Sequence, residues 1–296
     1  MTSILPLHGL VAGVMNGVGS PTLLVEDGGS PHGYALRPSQ ARTLAEADAV
    51  FWIGSGMEGF LTEPLAALAG DAAVLAMTDA PGIVPLPVRE GGLWEAHDHA
   101  AGEEDGDAHG EGDHGDAAHD EDGEELIDHH LWLDPDNAIA MVAAVADTLG
   151  AIDPANAEAY AANAEALQLR IGALDAALAA RFASLRDRPY VVFHDAFQYL
   201  EAHYGLSPVG SVTVSPEAPV SAARLAEIEA RIRATGAVCV FAEPQFRPAL
   251  IETIVADTGV RAGTLDPLGV AGGDAQEDYF ALMNGLADSL AGCLGG

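Results

Sequence analysis

His97, Asp98 and His99, then His109, His114 and His119, sit in a run whose gaps are filled with carboxylates. These extend from Glu95 through Glu103, Glu104, Asp105, Asp107, Glu111, Asp113, Asp116 and Asp120 to Asp122. Neutral imidazole is the commonest side-chain ligand for zinc-like metals. Surrounding carboxylates add attraction for any cation. No Lys or Arg interrupts the chain between Arg89 and Arg170. The run is nearly devoid of apolar residues and cannot build a core of its own. It reads as a mobile, metal-collecting insertion over about residues 90–128, with His129 at its end as a further accessory ligand.

Three other histidines stand at the ends of elements, where α/β proteins place their ligands. His32 lies in the turn Gly28-Gly29-Ser30-Pro31-His32-Gly33-Tyr34. His130 opens His130-Leu131-Trp132-Leu133-Asp134-Pro135, and His194 follows the apolar run Tyr190–Phe193. One such histidine is more often hydrogen-bonded at a surface than bound to metal. Three of them beside a His-rich insertion point to a convergent site. Asp266, in Leu265-Asp266-Pro267, offers an oxygen as a tentative fourth ligand, or simply caps its turn. Three imidazoles suit zinc, whereas an added carboxylate favours manganese or iron. Asp195 is positioned to orient a ligand from behind.

The elements that must carry these residues alternate. Strands are expected at residues 2–5, 21–25, 49–53 and 73–76. Helices are expected from about 8 to 17, 39 to 47 and 60 to 69. This order predicts a parallel sheet flanked by helices. After the insertion, Asp136 or Asn137 caps a helix running to about 149. Asp153-Pro154 then opens the longest helical pattern, ending near Leu185. That length is about 45 Å at 1.5 Å per residue, enough to join two lobes. A second alternating run follows. Its strands are at 190–193, 207–213, 237–241 and 261–264, and its helices at 194–204, 221–234 (capped by Ser221), 247–258 and 275–292. The expectation is an α/β chain of two lobes with parallel sheets: residues 1–150 with the insertion, a linking helix over 153–186, and residues 189–296.

The net charge of −33 disfavours nucleic acid and anionic membranes and favours small cations. All twelve basic residues are Arg, which reads as genome composition. No apolar stretch is long enough to span a bilayer. The first residues lack the basic and apolar regions of a signal peptide, so the chain is cytosolic or has had a signal removed. Cys239 and Cys293 lack zinc-finger spacing. They are compatible with one disulfide pinning the last helix to a strand, or with two free thiols. No metalloprotease, P-loop or nucleophile-elbow motif is present, and Gly54-Ser55-Gly56 is too short for a nucleotide fingerprint. Glu58 and Glu63 are potential bases only by default and read as exposed helix residues. The chain is not expected to be an enzyme.

These motifs together resemble the metal-specific substrate-binding proteins of bacterial ABC importers, the cluster A-1 family, and most closely its zinc-specific ZnuA-type branch. The similarity runs through residues 2–8, 30–39, 130–135, 193–197 and 265–269. It implies two Rossmann-like lobes joined by a rigid helix, with a zinc site between them held by His32, His130 and His194. Some zinc-specific relatives carry a glutamate just before the first histidine, where this chain has Pro31. The fourth position then falls to Asp266, a water or a loop residue, with Asp266 favoured. The resemblance also implies a Cys239–Cys293 disulfide. It further implies a monomer, free in the periplasm after loss of its signal, that delivers zinc to a membrane permease. The rival readings are a manganese or iron importer component, and a zinc buffer or chaperone that needs no transporter.

Overall fold

The computed structural model describes residues 1–26, 28–89, 94, 126–213, 216, 219–247 and 249–295. Its first half contains α1 (Leu5–Val14), α2 (Pro38–Ala45), β1 (Ala49–Trp52), α3 (Gly59–Leu68) and β2 (Ala73–Ala76). β1 and β2 pair in parallel, with Ala49 opposite Ala73 and Trp52 opposite Ala76. Thr2 bridges both Leu23 and Phe51 in the parallel sense. The N–H groups of Leu24 and Val25 donate to the carbonyls of Thr2 and Ser3. Four parallel segments therefore lie side by side, but the expected strands at 2–5 and 21–25 shrink to single bridges. The first is cut short because α1 begins at Leu5, with Pro6 in its opening turn where the missing N–H costs nothing.

Nine of the ten residues of α1 are buried. A Cβ at Gly9 would lie 3.0 Å from the backbone nitrogen of Tyr279 and 3.2 Å from the carbonyl of Ala275. Only glycine lets α1 come this close to the last helix of the chain.

A one-turn 3-10 helix (Leu131–Leu133) leads into α4 (Pro135–Ile152). The cap of α4 is Asp134, whose side chain accepts from Asp136 N at 2.9 Å, rather than Asp136 or Asn137. Asn137 is buried instead and accepts from Val84 N. The long helix α5 spans Ala157–Phe182, shorter at both ends than the pattern suggested. Asp153 does not cap it and accepts from Asn156 Nδ2 and Tyr160 Oη. At 1.5 Å per residue α5 is about 39 Å long. Its buried stripe is Tyr160, Ala164, Leu167, Ile171, Leu174, Leu178 and Phe182. Spacings of three and four keep these residues on one face.

The second half holds β3 (Tyr190–His194), α6 (Gln198–Tyr204), β4 (Pro208–Thr213), α7 (Ala222–Thr235), β5 (Cys239–Ala242), α8 (Ala249–Thr258), β6 (Arg261–Thr264) and α9 (Ala275–Leu294). The sheet order is β4-β3-β5-β6, with every pair parallel. Ser221 caps α7 as its position predicts, accepting from Arg224 N. A disulfide joins Cys239 of β5 to Cys293 of α9 across 54 residues.

The two α/β lobes share one continuous hydrophobic core. It runs from Ile4 and Leu7 through Trp132 and the α5 stripe to Tyr279 and Leu290. Smaller clusters back each sheet on its far side, around Leu44 and Leu61 in one lobe and around Val191 and Ile228 in the other. Among the described residues no helix is long and apolar enough to cross a membrane.

Candidate metal centre

His194 ends β3, an inner strand of its sheet. Side chains alternate along β3: Val191 and Phe193 join the outer cluster, while Tyr190 and Val192 join the main core. His194 continues the Tyr190–Val192 face at the carboxyl end of the sheet, where ligands of parallel sheets gather. Glu243 follows the adjacent strand β5 and is buried as well. His130 stands just before the 3-10 turn. It is anchored by Trp132, which is fully buried and donates through Nε1 to Pro267 O at 2.8 Å. Tyr279 Oη donates in turn to Trp132 O. These two bonds tie the lobes together beneath the histidines.

His32 is held differently. Its turn is pinned from α2, where Gln40 Nε2 donates to Leu24 O and to Tyr34 Oη, each at 2.7 Å. Tyr34 Oη also donates to Leu24 O, and its ring packs 5.1 Å from Phe60. His32 itself is exposed, unlike His130 and His194.

The three imidazoles nevertheless converge. Their ring centroids form a triangle with sides of 5.5, 5.5 and 5.2 Å. One nitrogen from each lies within 4.8 Å of the others. Each buried histidine is fixed by a carboxylate behind it. Asp128 Oδ1 accepts from His130 Nδ1 at 2.7 Å and from His130 N at 2.9 Å. Glu243 Oε1 accepts from His194 Nδ1 at 2.5 Å and from His194 N at 3.2 Å. With both Nδ1 atoms donating, both Nε2 atoms present lone pairs. Those two Nε2 atoms face each other at 3.3 Å. Two neutral acceptors at that distance repel unless a cation lies between them. Two nitrogens bound tetrahedrally to one zinc at ~2.05 Å stand about 3.3 Å apart.

The small cavity between these rings has a volume of about 10 Å³ and is walled by Met57, Trp132 and Phe246 among others. It suits a single ion or water. A larger vestibule of about 270 Å³ opens on the other side of the same histidines. Burial opposes protonation of His194, but the charge and hydrogen bond of Glu243 outweigh it and raise its pKa. Solvent reaches one side of His32, yet the protein around it desolvates the ring. With help from His130, His194 and His129, this lowers its pKa to about 2.

Asp266 is not brought together with the three histidines. Its Oδ1 accepts from Gln245 Nε2 and from Leu268 N, the turn-capping arrangement of an aspartate before Pro-Leu. Asp195 does not orient His194. It pairs with Arg89, whose Nη2 also meets the buried Glu201 at 2.8 Å. Trp94 covers this guanidinium, its ring centroid 3.6 Å from Arg89 Cζ. Glu58 is fully buried rather than exposed and accepts from the backbone of Ile53 and Gly54, fixing the turn that carries Met57. Glu63 is exposed. His129 is half-buried on the vestibule wall. His97, His99, His109, His114 and His119 lie outside the described residues. Sequence reasoning missed Asp128 and Glu243. Asp128 is legible in retrospect two residues before His130, and Glu243 as a carboxylate directly after an apolar strand, the same placement as His194.

A family model described as ZnuA, the periplasmic component A of a zinc-uptake complex, matches residues 1–293. A high-affinity zinc uptake system protein of Brucella abortus is 46% identical, the alignment covering 99% of this chain and 91% of the relative. The protein of the same name from Yersinia pestis is 37% identical over 99% of this chain and 90% of its own length. Among solved structures, the periplasmic zinc binding protein TroA from Treponema pallidum superposes with a TM-score of 0.78 at 21% identity. That alignment covers 99% of this chain and 97% of that one, a likeness of fold.

Proposed function

The chain belongs to the ZnuA family of zinc-uptake components, and from that premise we propose that it captures zinc on His32, His130 and His194 and delivers it to a membrane ABC permease. The observation that carries this reading is the pair of Nε2 lone pairs facing each other at 3.3 Å, each set by a carboxylate on the opposite ring nitrogen. Such carboxylate–histidine pairs fix the tautomer and strengthen the imidazole as a ligand.

The fourth coordination position goes to a water in this reading. Asp266 already has two hydrogen-bond donors and lies outside the cluster. A nitrogen-rich set without a carboxylate favours zinc over manganese or iron. The donor lobe boundaries we propose are residues 1–150 and 189–296 around the helical segment 153–186. His97, His99, His109, His114 and His119 would gather further zinc more weakly, as accessory ligands to the site of the three histidines. The protein works as a periplasmic monomer and performs no chemistry on its cargo.

The test is a chelator-competition titration with zinc and with manganese on the full chain and on His194→Ala. One tight zinc site that disappears in the variant, with weak manganese binding in both, is the expected result. Tight binding that survives His194→Ala would move the function to the His-rich insertion and favour the buffer reading. Delivery is checked by stimulation of the cognate permease's ATPase by the zinc-loaded protein.

A further inference from the structure

His129 lines the same vestibule as the three clustered histidines but is not one of them. Its ring is seated in a built position. A Cβ at residue 56 would lie 2.1, 2.3 and 2.7 Å from Cε1, Nε2 and Nδ1 of His129. Any side chain at position 56 would displace the imidazole, which gives the Gly54-Ser55-Gly56 turn a purpose: it cradles a ring. His129 is half-buried, so part of it faces the vestibule.

The surroundings suit a cation. Asp128, the adjacent residue, lines the same vestibule, and its second oxygen, Oδ2, has no hydrogen-bond partner. Among the described residues on this wall, the guanidinium of Arg89 is taken up by Asp195 and Glu201. Trp94 and Leu126 line the vestibule too. A cation entering this vestibule therefore meets the wall that carries His129.

We propose that His129 is a receiving ligand: it takes zinc through one imidazole nitrogen in the vestibule and yields it to His32, His130 and His194. This rests on the zinc reading above. The transfer is a ligand exchange. The bond from zinc to His129 breaks as bonds to the cluster form, waters leave the ion, and no proton or electron is needed beyond those already placed. One imidazole holds zinc weakly and three hold it tightly, so His129 speeds capture without adding to final affinity.

The experiment is stopped-flow zinc uptake by the full chain from a chromophoric chelator, comparing wild type with His129→Phe. Phenylalanine keeps a ring over Gly56 and removes the nitrogens. The expected result is an association rate lower by about fivefold or more, with equilibrium affinity within about twofold. Gly56→Ala, which pushes the ring from its seat, should slow uptake in the same way. An unchanged rate in His129→Phe overturns the proposal, as does a fall in affinity that matches the fall in rate, which would mark a structural role. His194→Ala, run alongside, separates the two readings: loss of its tight site with normal uptake by His129→Phe removes the receiving ligand and leaves the zinc site standing.

Discussion

The two sides of the candidate metal centre are built on different principles. His130 and His194 are buried, and each is locked by a carboxylate that accepts from both its ring and its backbone. His32 is exposed, has no such carboxylate among the described residues, and rides on a turn held by Gln40 and Tyr34. The first side is a preset pair whose nitrogens already stand at zinc spacing. The second, in the proposed reading, completes the shell. Preorganisation is thus concentrated in the locked pair, and the exposed side remains open to exchange.

That contrast is easiest to break by deleting ligands. His194→Ala should lower zinc affinity by well over the ~10–100-fold that outer partners are worth, because it also strands the buried Glu243. His32→Ala should cost less, since water reaches that side and can take the vacated position. Equal losses in a competition titration would mean the two sides are not distinct. Next in size come the carboxylates. Asp128→Asn and Glu243→Gln should each weaken zinc about 10–100-fold, while leaving three imidazoles in place.

Acidity sharpens the comparison further. His194 has a raised pKa, so its proton begins to compete with zinc at a higher pH than for an ordinary histidine near 6.5. His32, lowered to about 2, stays neutral throughout that range. Zinc affinity should therefore fall as pH drops, with a midpoint set by His194. Glu243→Gln should move that midpoint to lower pH, and His32→Ala should leave it in place. Titrations of affinity against pH for the three proteins check this. The smallest effect belongs to the turn. Gln40→Ala removes hydrogen bonds worth about 1 kcal/mol each, and should weaken zinc only severalfold, visible as faster zinc release to a chelator.

The three histidines were legible because each sits at the edge of an apolar run or a glycine-rich turn, and such borders become strand ends in an α/β chain. The long helix was legible from its three-and-four spacing, although its ends were not. At its start the side chain of Asp153 is engaged by Asn156 and Tyr160 rather than by the helix. The locking carboxylates were hidden for two reasons. Asp128 ends a stretch so rich in acids that no single one stands out. Glu243 meets His194 across 49 residues, a pairing created only by the adjacency of β3 and β5. Glu58 misled because its position before α3 resembles an exposed first turn, whereas its carboxylate folds back onto the end of β1. Asp266 stayed ambiguous in the sequence because a capping aspartate and a metal-binding aspartate look alike there; in the fold its Oδ1 accepts from Gln245 and from Leu268 N.

The core shared by the two lobes has a calorimetric consequence. Trp132, the α5 stripe and Tyr279 are already out of water in this structure. Heat-capacity change on binding reports apolar surface newly covered. A protein that clapped shut around its cargo would show a large negative value. In the proposed reading the ion enters a socket whose hydrophobic walls were sealed during folding, so loading should give an enthalpy of binding nearly independent of temperature.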